Sequence, residues 1–562
     1  SGAVEMDDAT EDEGEETWTA AGGAVFLANI DDDEEACEIN GLTDVQLEEC
    51  NDAADETVNG EADIKDLAPI RIAAWPDAPD GATATLTISN TEMVRVFHHV
   101  QPNNPIAWVL WDSATSALDA AQLREGAELA LEGLDIIRDL AVWDGYVELT
   151  LTVSDGTEVV GTDVVRMRMS PMMTYHHMLP AETLYASRFN YQSSVDFRGD
   201  IQAAMDATGM EGELFNIDYP DQWAQDFFET AYMSMPSADP DAKNGQHAIR
   251  VNLRSANVDS PNLVENPLRF AGRVVFEVLR GPDSAGVQEY TLERTQAENQ
   301  MDSLNSFGNT ETVPPYSKDG VDYPLGRLFR GSIESFYPDK AFSQMMEAQG
   351  QQPPVYVDTS WLLVGHVDET ISFIRADNDK GWTIAANDAA MAVDLFEKLV
   401  EDGQGDAPMF VGKFWDTDEP SETTPTEILA NKVVMEESAK AIAEVDAQLQ
   451  ILYDETGLTG DDVMWVPFLH EASYGFSVAH QPGTVNGISI SPTSFAPPKP
   501  HGPIVDGKDV FEEQMKTAWA EQGIMVNFVE DWDLYHVLLG EVHCGSNATR
   551  AIPEAKWWET GR

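Results

Sequence analysis

Glu541-Val542-His543-Cys544-Gly545-Ser546-Asn547-Ala548 carries the only cysteine after Cys50, and that thiol reads as a nucleophile. Val364-Gly365-His366-Val367-Asp368-Glu369 adds a histidine and carboxylates in a short apolar context, and Trp223-Ala224-Gln225-Asp226 adds an acid beside a tryptophan. These parts suit a guanidinium, a planar cation with five donors that favours paired carboxylates and an aromatic face. Asp226, Asp368 and Trp223 supply such a pocket. The guanidinium carbon is a poor electrophile, so attack calls for a thiolate and for a proton donor on the departing nitrogen, roles that fit Cys544 and His366. Taken singly, a buried cysteine is also an ordinary small hydrophobe and Val-Gly-His-Val an ordinary buried strand.

The chain has 562 residues, and the length prior of roughly 150 residues per domain suggests about three or four. A hydrophobic share of 43% is ample for large cores, and no apolar run reaches the ~18 residues of a membrane helix, so a soluble protein without a membrane partner is expected. With 100 acidic against 32 basic residues the formal charge is −68. That excludes nucleic acid as a partner and favours basic, arginine-rich polypeptides; it also reads as adaptation to salt, which screens self-repulsion, with bound cations as further counter-charge. Cys37 and Cys50, 13 positions apart, read as a structural disulfide of an oxidising compartment, so a secreted or extracellular protein is expected. No signal peptide is visible and the sequence starts at Ser1-Gly2-Ala3-Val4, as a processed product would. A glycan on the sequon Asn547-Ala548-Thr549 would block the neighbouring thiol, which favours a prokaryotic source.

Residues 1–17 form an acidic start expected to stay mobile and unpacked. Residues 18–170 show short alternating runs such as Ala84-Thr85-Leu86-Thr87-Ile88 and Tyr146-Val147-Glu148-Leu149-Thr150-Leu151-Thr152-Val153, separated by Pro, Asp and Gly turns, the pattern of an antiparallel sandwich. From 171 to 562 strands alternate with helices, strongest at 388–402 and 426–456, which predicts a mixed α/β domain. No sequence repeat marks its internal units. Crowded carboxylates after Asn29 (Asp31, Asp33, Asp52, Asp55, Asp63, Asp66) offer hard oxygen ligands suited to calcium, or a solvated acidic face; the spacing is not that of an EF-hand.

Asp226, His366, Asp368 and Cys544, with Ser306-Phe307-Gly308-Asn309, Tyr323-Pro324-Leu325-Gly326-Arg327, Pro498-Lys499-Pro500-His501-Gly502-Pro503 and Lys556-Trp557-Trp558 between and after them, resemble the peptidylarginine deiminases over residues 20–562. Those are calcium-dependent enzymes that convert arginine in proteins to citrulline. The resemblance implies a multi-domain chain: an N-terminal immunoglobulin-like β-sandwich that binds calcium, then an α/β catalytic domain of the pentein type, a five-bladed α/β-propeller. It implies Asp226, His366, Asp368 and Cys544 as catalytic residues, with Cys544 adding to the guanidinium carbon and His366 protonating ammonia, then activating water. It implies Trp223 and Arg269 on the substrate, and arginine-containing proteins or peptides as partners. Calcium ligands would be Gln225, Glu229, Phe307, Thr310 and Glu311 beside the catalytic site, and Asn29, Asp31, Asp33, Asp52, Asp55, Asp63, Asp66 and Asp283 in the sandwich.

Departures limit the carry-over. Phe227 and Arg254 stand where vertebrate-type members hold another calcium near the catalytic aspartate, so that site is expected to be missing. About twenty residues stand in place of a further N-terminal immunoglobulin-like domain, an insertion around 258–268 blurs the alignment of Arg269, and Leu539 stands where some members carry Arg. The pairs His98-His99 and His176-His177 lack spaced partner ligands and read as structural. Small-molecule guanidine enzymes of the same fold, and a non-catalytic calcium-binding module, are the rival readings.

Overall fold

A computed structural model describes the chain except Ser1 and residues 5–14, 21–22, 102, 238, 260–263, 296–298, 300–301, 333–337 and 417. Most of the acidic start therefore lies outside the described residues. Gly2–Val4, however, pairs parallel to Ala68–Ile72, against the expectation of an unpacked start. A sheet edge recruits a strand through backbone groups, whatever its side chains.

Up to residue 170 the chain forms two five-stranded sheets over one apolar core. Ala82–Ile88 shows the cause: buried and exposed residues alternate strictly, and Ala84, Leu86 and Ile88 face inward. Tyr146–Asp155 and Glu158–Met169 form the longest hairpin of this part. The core does not stop at residue 170: Tyr175, Tyr232, Met233, Leu328, Phe342 and Trp557 continue it, so the two parts share one apolar interior.

Beyond residue 170, five small sheets among the described residues repeat one connection: an antiparallel pair, a helical segment, then a strand parallel to the second of the pair. The units are Phe228–Pro236, Gln246–Arg254 and Ser284–Val287; Thr310–Val313, Arg327–Gly331 and Val355–Val357; Ile371–Arg375, Trp382–Asp388 and Met464–Pro467; Ile488–Ser491, Ser494–Ala496 and Met525–Val526. The fifth is assembled from both ends of the region: Ser546–Arg550 pairs with Ala181–Ser187, which runs parallel to Phe215–Ile217. A parallel return needs a crossover, and helices provide it in most units, from Lys340–Ala348 to Gln192–Thr208. The helix expected over 388–402 is Ala389–Glu401, started by the Asp388 carboxylate on Met391 N–H. The helix expected over 426–456 is two, Pro425–Ala430 and Lys432–Thr456, because Asn431 leaves helical geometry and caps the second through Val433 N–H and Val434 N–H.

The segment around helix Asp44–Glu49 fastens the two parts. Cys37 and Cys50 are bridged, with Cα atoms 5.8 Å apart. Leu47 packs with Tyr185, Phe227, Phe228 and Phe276, directly under the helix that carries Asp226. Asp44, wholly buried, accepts from Arg254 at 2.8 Å and Arg273 at 2.9 Å. Arg138 joins Glu48, Asp135 and Glu289. Asp44→Ala is expected to cost about 3–5 kcal/mol of unfolding free energy, because it strands two buried guanidinium groups; denaturant unfolding measures it, and a loss under about 1 kcal/mol would show that the pairs do not hold the parts together.

Candidate active site

Each of the five repeated sheets delivers a polar side chain from the turn just before its first strand. Asp226 precedes Phe228–Pro236, Asn309 precedes Thr310–Val313, His366 and Asp368 precede Ile371–Arg375, Asn486 precedes Ile488–Ser491, and Cys544 precedes Ser546–Arg550. The turns interlock: Gln225 N–H donates to Cys544 C=O, and His543 N–H donates to Asn486 Oδ1 at 3.0 Å. Asp226, His366 and Cys544 thereby line one cleft of about 810 Å³ with Trp223, Arg269 and Leu539.

Cys544 is 4% exposed, and its Sγ lies 3.9 Å from Asp368 Oδ2 and 3.5 Å from Asn486 Nδ2. Burial, with Asp368 and Asp226 nearby, pushes the thiol well above its usual range. His366 donates from Nε2 to the Ser303 carbonyl at 2.9 Å, which leaves Nδ1 facing Asp226 Oδ1 at 3.9 Å. Gly308 permits this approach, because a Cβ there would stand 2.5 Å from His366 Nδ1. The Glu369 carboxylate takes His366 N–H at 2.8 Å and fixes the turn. Among the described residues, Asp226 Oδ1, Asp368 Oδ1 and His366 Nδ1 are buried without a hydrogen-bond partner, so two acceptors and one ring nitrogen remain open in the slot. Burial also raises Asp226, which Arg269 and His366 counter.

Trp223 forms one wall, tilted on Tyr535 with centroids 5.4 Å apart and pressed on Gly540, where a Cβ would meet its ring at 2.2 Å. Arg269 lies in the cleft wall, held by Asp221 at 2.7 and 2.9 Å and reaching Asp226 Oδ2 at 3.2 Å. Of the two residues on which the further calcium site was expected to be missing, Phe227 is in the apolar core and Arg254 is engaged with Asp44, Gln288 and the Arg269 carbonyl.

Two oxygen-rich clusters could hold divalent cations. Beside the cleft, Gln225 Nε2 donates to Glu229 Oε2 at 2.6 Å and to Phe307 C=O at 3.3 Å, and Glu229, Thr310 and Glu311 border the same small cavity. Burial raises Glu229 to about 7, a carboxylate awaiting a counter-charge. In the N-terminal part Asp31, Asp33 and Asp66 converge, and Asp66 also meets His247 and Asp283. Asp52 accepts from Asp33 N–H and Asp63 from Asn29 Nδ2. Asp31 is pushed up to about 9 by burial and by Asp66, Asp33 and Asp52, and neither of its carboxylate oxygens has a hydrogen-bond partner among the described residues. Asp55 is exposed and caps Thr57 N–H instead. Glu132 and His247 join this cluster without having been expected.

His176 and His177, read as structural, are both buried, and His177 has a carboxylate partner. His177 Nε2 lies 3.1 Å from Glu311 Oε2, and His543 reaches Glu311 from the other side, so the partners come from segments distant in sequence. Asn486 and His543 were also missed. His543 adjoins the cysteine in the quoted motif, which was a usable signal; Asn486 had none. Asn547 is 2% exposed and donates to Phe228 C=O, so its sequon is sealed in a strand.

A family profile described as "Protein-arginine deiminase (PAD)" matches residues 159–559. The chain belongs to this family. Among curated relatives, protein-arginine deiminase type-4 of Mus musculus is 27% identical over 588 residues, 99% of this chain and 81% of that protein. Human protein-arginine deiminase type-3 is 26% identical over 568 residues, 96% of this chain and 78% of that protein. Among solved structures, C. jejuni agmatine deiminase covers 68% of this chain and 96% of its own at 12% identity and a TM-score of 0.36, an overlap too loose to carry an argument. Within this family frame Asn486 is the unforeseen partner of the thiol. Asn486→Ala is expected to slow alkylation of Cys544 about 10-fold or more, the value of a hydrogen bond to a thiolate; peptide mapping by mass spectrometry measures it, and an unchanged rate would remove Asn486 from the site.

Proposed function

We propose that this chain hydrolyses the guanidinium of arginine within polypeptides to citrulline and ammonia, through a covalent thiouronium on Cys544, and that it needs calcium to do so. The observation that carries the reading is the pair of unpartnered buried oxygens, Asp226 Oδ1 and Asp368 Oδ1, beside the Cys544 thiol and the open His366 Nδ1. A guanidinium between the two carboxylates meets acceptors on both sides and Trp223 on a face. Its charge offsets the carboxylates that hold the thiol protonated, so substrate entry itself favours the thiolate. The thiol proton passes across the shared cleft to His366 Nδ1 and Sγ adds to the guanidinium carbon; Asn486 Nδ2 hydrogen-bonds sulfur before attack. His366 gives a proton from Nδ1 to the leaving nitrogen, and the C–N bond breaks to release ammonia. The same Nδ1 then takes a proton from water as its oxygen attacks the thiouronium carbon, and the C–S bond breaks to free citrulline and Cys544.

Gln225, Glu229, the carbonyls of Phe307 and Thr310, and Glu311 are the oxygens that would hold calcium near the slot; Asn29, Asp31, Asp33, Asp52, Asp63, Asp66 and Asp283 would do so in the N-terminal part. Bound there, calcium supplies a fixed positive charge that neutralises buried carboxylates and orders the turn carrying Trp223 and Asp226. The five repeated sheets support a closed five-bladed pentein ring, and the two-sheet N-terminal part supports the immunoglobulin-like assignment. The Cys37–Cys50 bridge supports an extracellular setting.

Citrulline release from an arginine peptide should require calcium and vanish in excess chelator. Cys544→Ser should lose on the order of 10⁴-fold or more, and His366→Ala about 10²–10⁴-fold, with folding intact. Glu229→Ala should raise the calcium concentration for half-activity while leaving kcat at saturation largely unchanged. Full activity in chelator would overturn the calcium reading. A blocked arginine amide should exceed free arginine in kcat/KM by at least about 10-fold, since a chain of net charge −68 repels a free carboxylate and attracts basic polypeptides; equal values would point to a small-molecule enzyme.

A further inference from the structure

We propose that His177, Glu311 and His543 form a binding site for one zinc-class transition metal ion, and that its occupation opposes calcium and silences the neighbouring thiol site. His177 Nε2 is 3.1 Å from Glu311 Oε2 and His543 Nε2 is 3.5 Å from Glu311 Oε1. One ligand atom from each residue lies within 4.8 Å of the others, and all three residues are buried. Ligands at about 2.0–2.2 Å from a tetrahedral zinc stand roughly 3.4 Å apart, so small movements would close the set.

The donor set decides the class of metal. Two imidazole nitrogens and one carboxylate suit zinc, cobalt or nickel, whereas calcium takes oxygen. His543 presents the outer-shell arrangement of a metal-bound histidine: Nδ1 is held by the Asp368 carboxylate at 2.8 Å, which fixes the ring with Nε2 toward Glu311. The two rings meet edge to face, 5.9 Å between centroids. The adjoining cavity, about 30 Å³, is bordered by all three residues and has room for an ion or one water, the fourth ligand of a zinc-type site. Glu229 in the same wall adds negative charge, and Arg550 opposes it.

The consequence follows from shared atoms. Glu311 belongs to both this site and the proposed calcium set, so the two ions compete for it. Asp368, tied to His543, is the carboxylate beside Cys544 Sγ. A metal on His543 therefore fixes an acid that must receive the guanidinium.

The test begins with metal-free protein titrated with cobalt(II) alone, a readout that stands whatever reaction the chain catalyses. One equivalent should produce the visible absorption of tetrahedral cobalt, with the same band in Cys544→Ser and in Asp31→Asn but none in His177→Gln. A band that depends on Cys544 instead, or one unchanged in His177→Gln, would overturn the proposal. Because His177→Gln could disturb the core, zinc-soaked crystals of the unaltered chain give an independent reading: an anomalous peak about 2.1 Å from His177 Nε2 is expected, and a peak elsewhere or none overturns the site. The second arm rests on the proposed function. Zinc should inhibit calcium-driven citrulline formation, rising calcium should relieve it, and His177→Gln should need at least 10-fold more zinc. Inhibition independent of calcium, with the cobalt band intact, would remove the competition and leave the site.

Discussion

The pairing of Ser546–Arg550 with Ala181–Ser187 is the contact on which the catalytic half depends. It joins strands near the two ends of that region, and Tyr185 Oη to Thr549 Oγ1 at 2.9 Å adds a side-chain tie. The loop-closure entropy for so long a separation is large in principle but grows only logarithmically with length. In return the turn with Cys544 is fixed against the turns with Asp226 and Asn486, each just ahead of a strand. A constellation held at strand entrances is more precise than one on free loops.

That precision is used to collect like charge. Asp226, Asp368, Glu229 and Glu311 lie within one buried neighbourhood, and the acidic cluster of the N-terminal part repeats the situation at a distance. His177 and His543 lower Glu311 against burial, while Glu311 and Asp368 lift His543 to about 9 despite its burial. For Glu229 burial outweighs His543 and the carboxyl rises, and Asp31, crowded by Asp66, Asp33 and Asp52, rises further. His543 thus satisfies part of this charge from inside the protein. Leu47 shares one apolar cluster with Phe227 and Phe228, so the helix Asp44–Glu49 packs in the same core as the turn that bears Asp226.

Much of this was legible in the sequence, for identifiable reasons. Alternation in Ala82–Ile88 and Tyr146–Asp155 is a local signal, and so is the cysteine motif. The repeated sheets were not legible, because the segments between second and third strands vary from a single nine-residue helix, Lys340–Ala348, to three helices between Trp382–Asp388 and Met464–Pro467. Variable spacers erase the period while the strand connections persist. The break at Asn431 was hidden because apolar spacing continues across it. Asn486, and the role of His177, depend on neighbours distant in sequence, and no local pattern encodes them. Asp55 shows the converse: a carboxylate in the same run of sequence whose side chain is exposed and caps Thr57 N–H.

The sealed side chain of Asn547 bears on where such a molecule can be made. A eukaryotic secretory pathway reads Asn547-Ala548-Thr549 on the nascent chain, before Ser546–Arg550 has found its partner strand. A sugar attached then would occupy the nitrogen that Phe228 C=O needs and would not fit a position 2% exposed. The final strand would be barred from the sheet, and with it the thiol turn. Production in a host without this glycosylation, or with Thr549 replaced by a residue that breaks the sequon, avoids a modification the fold has no room to accept.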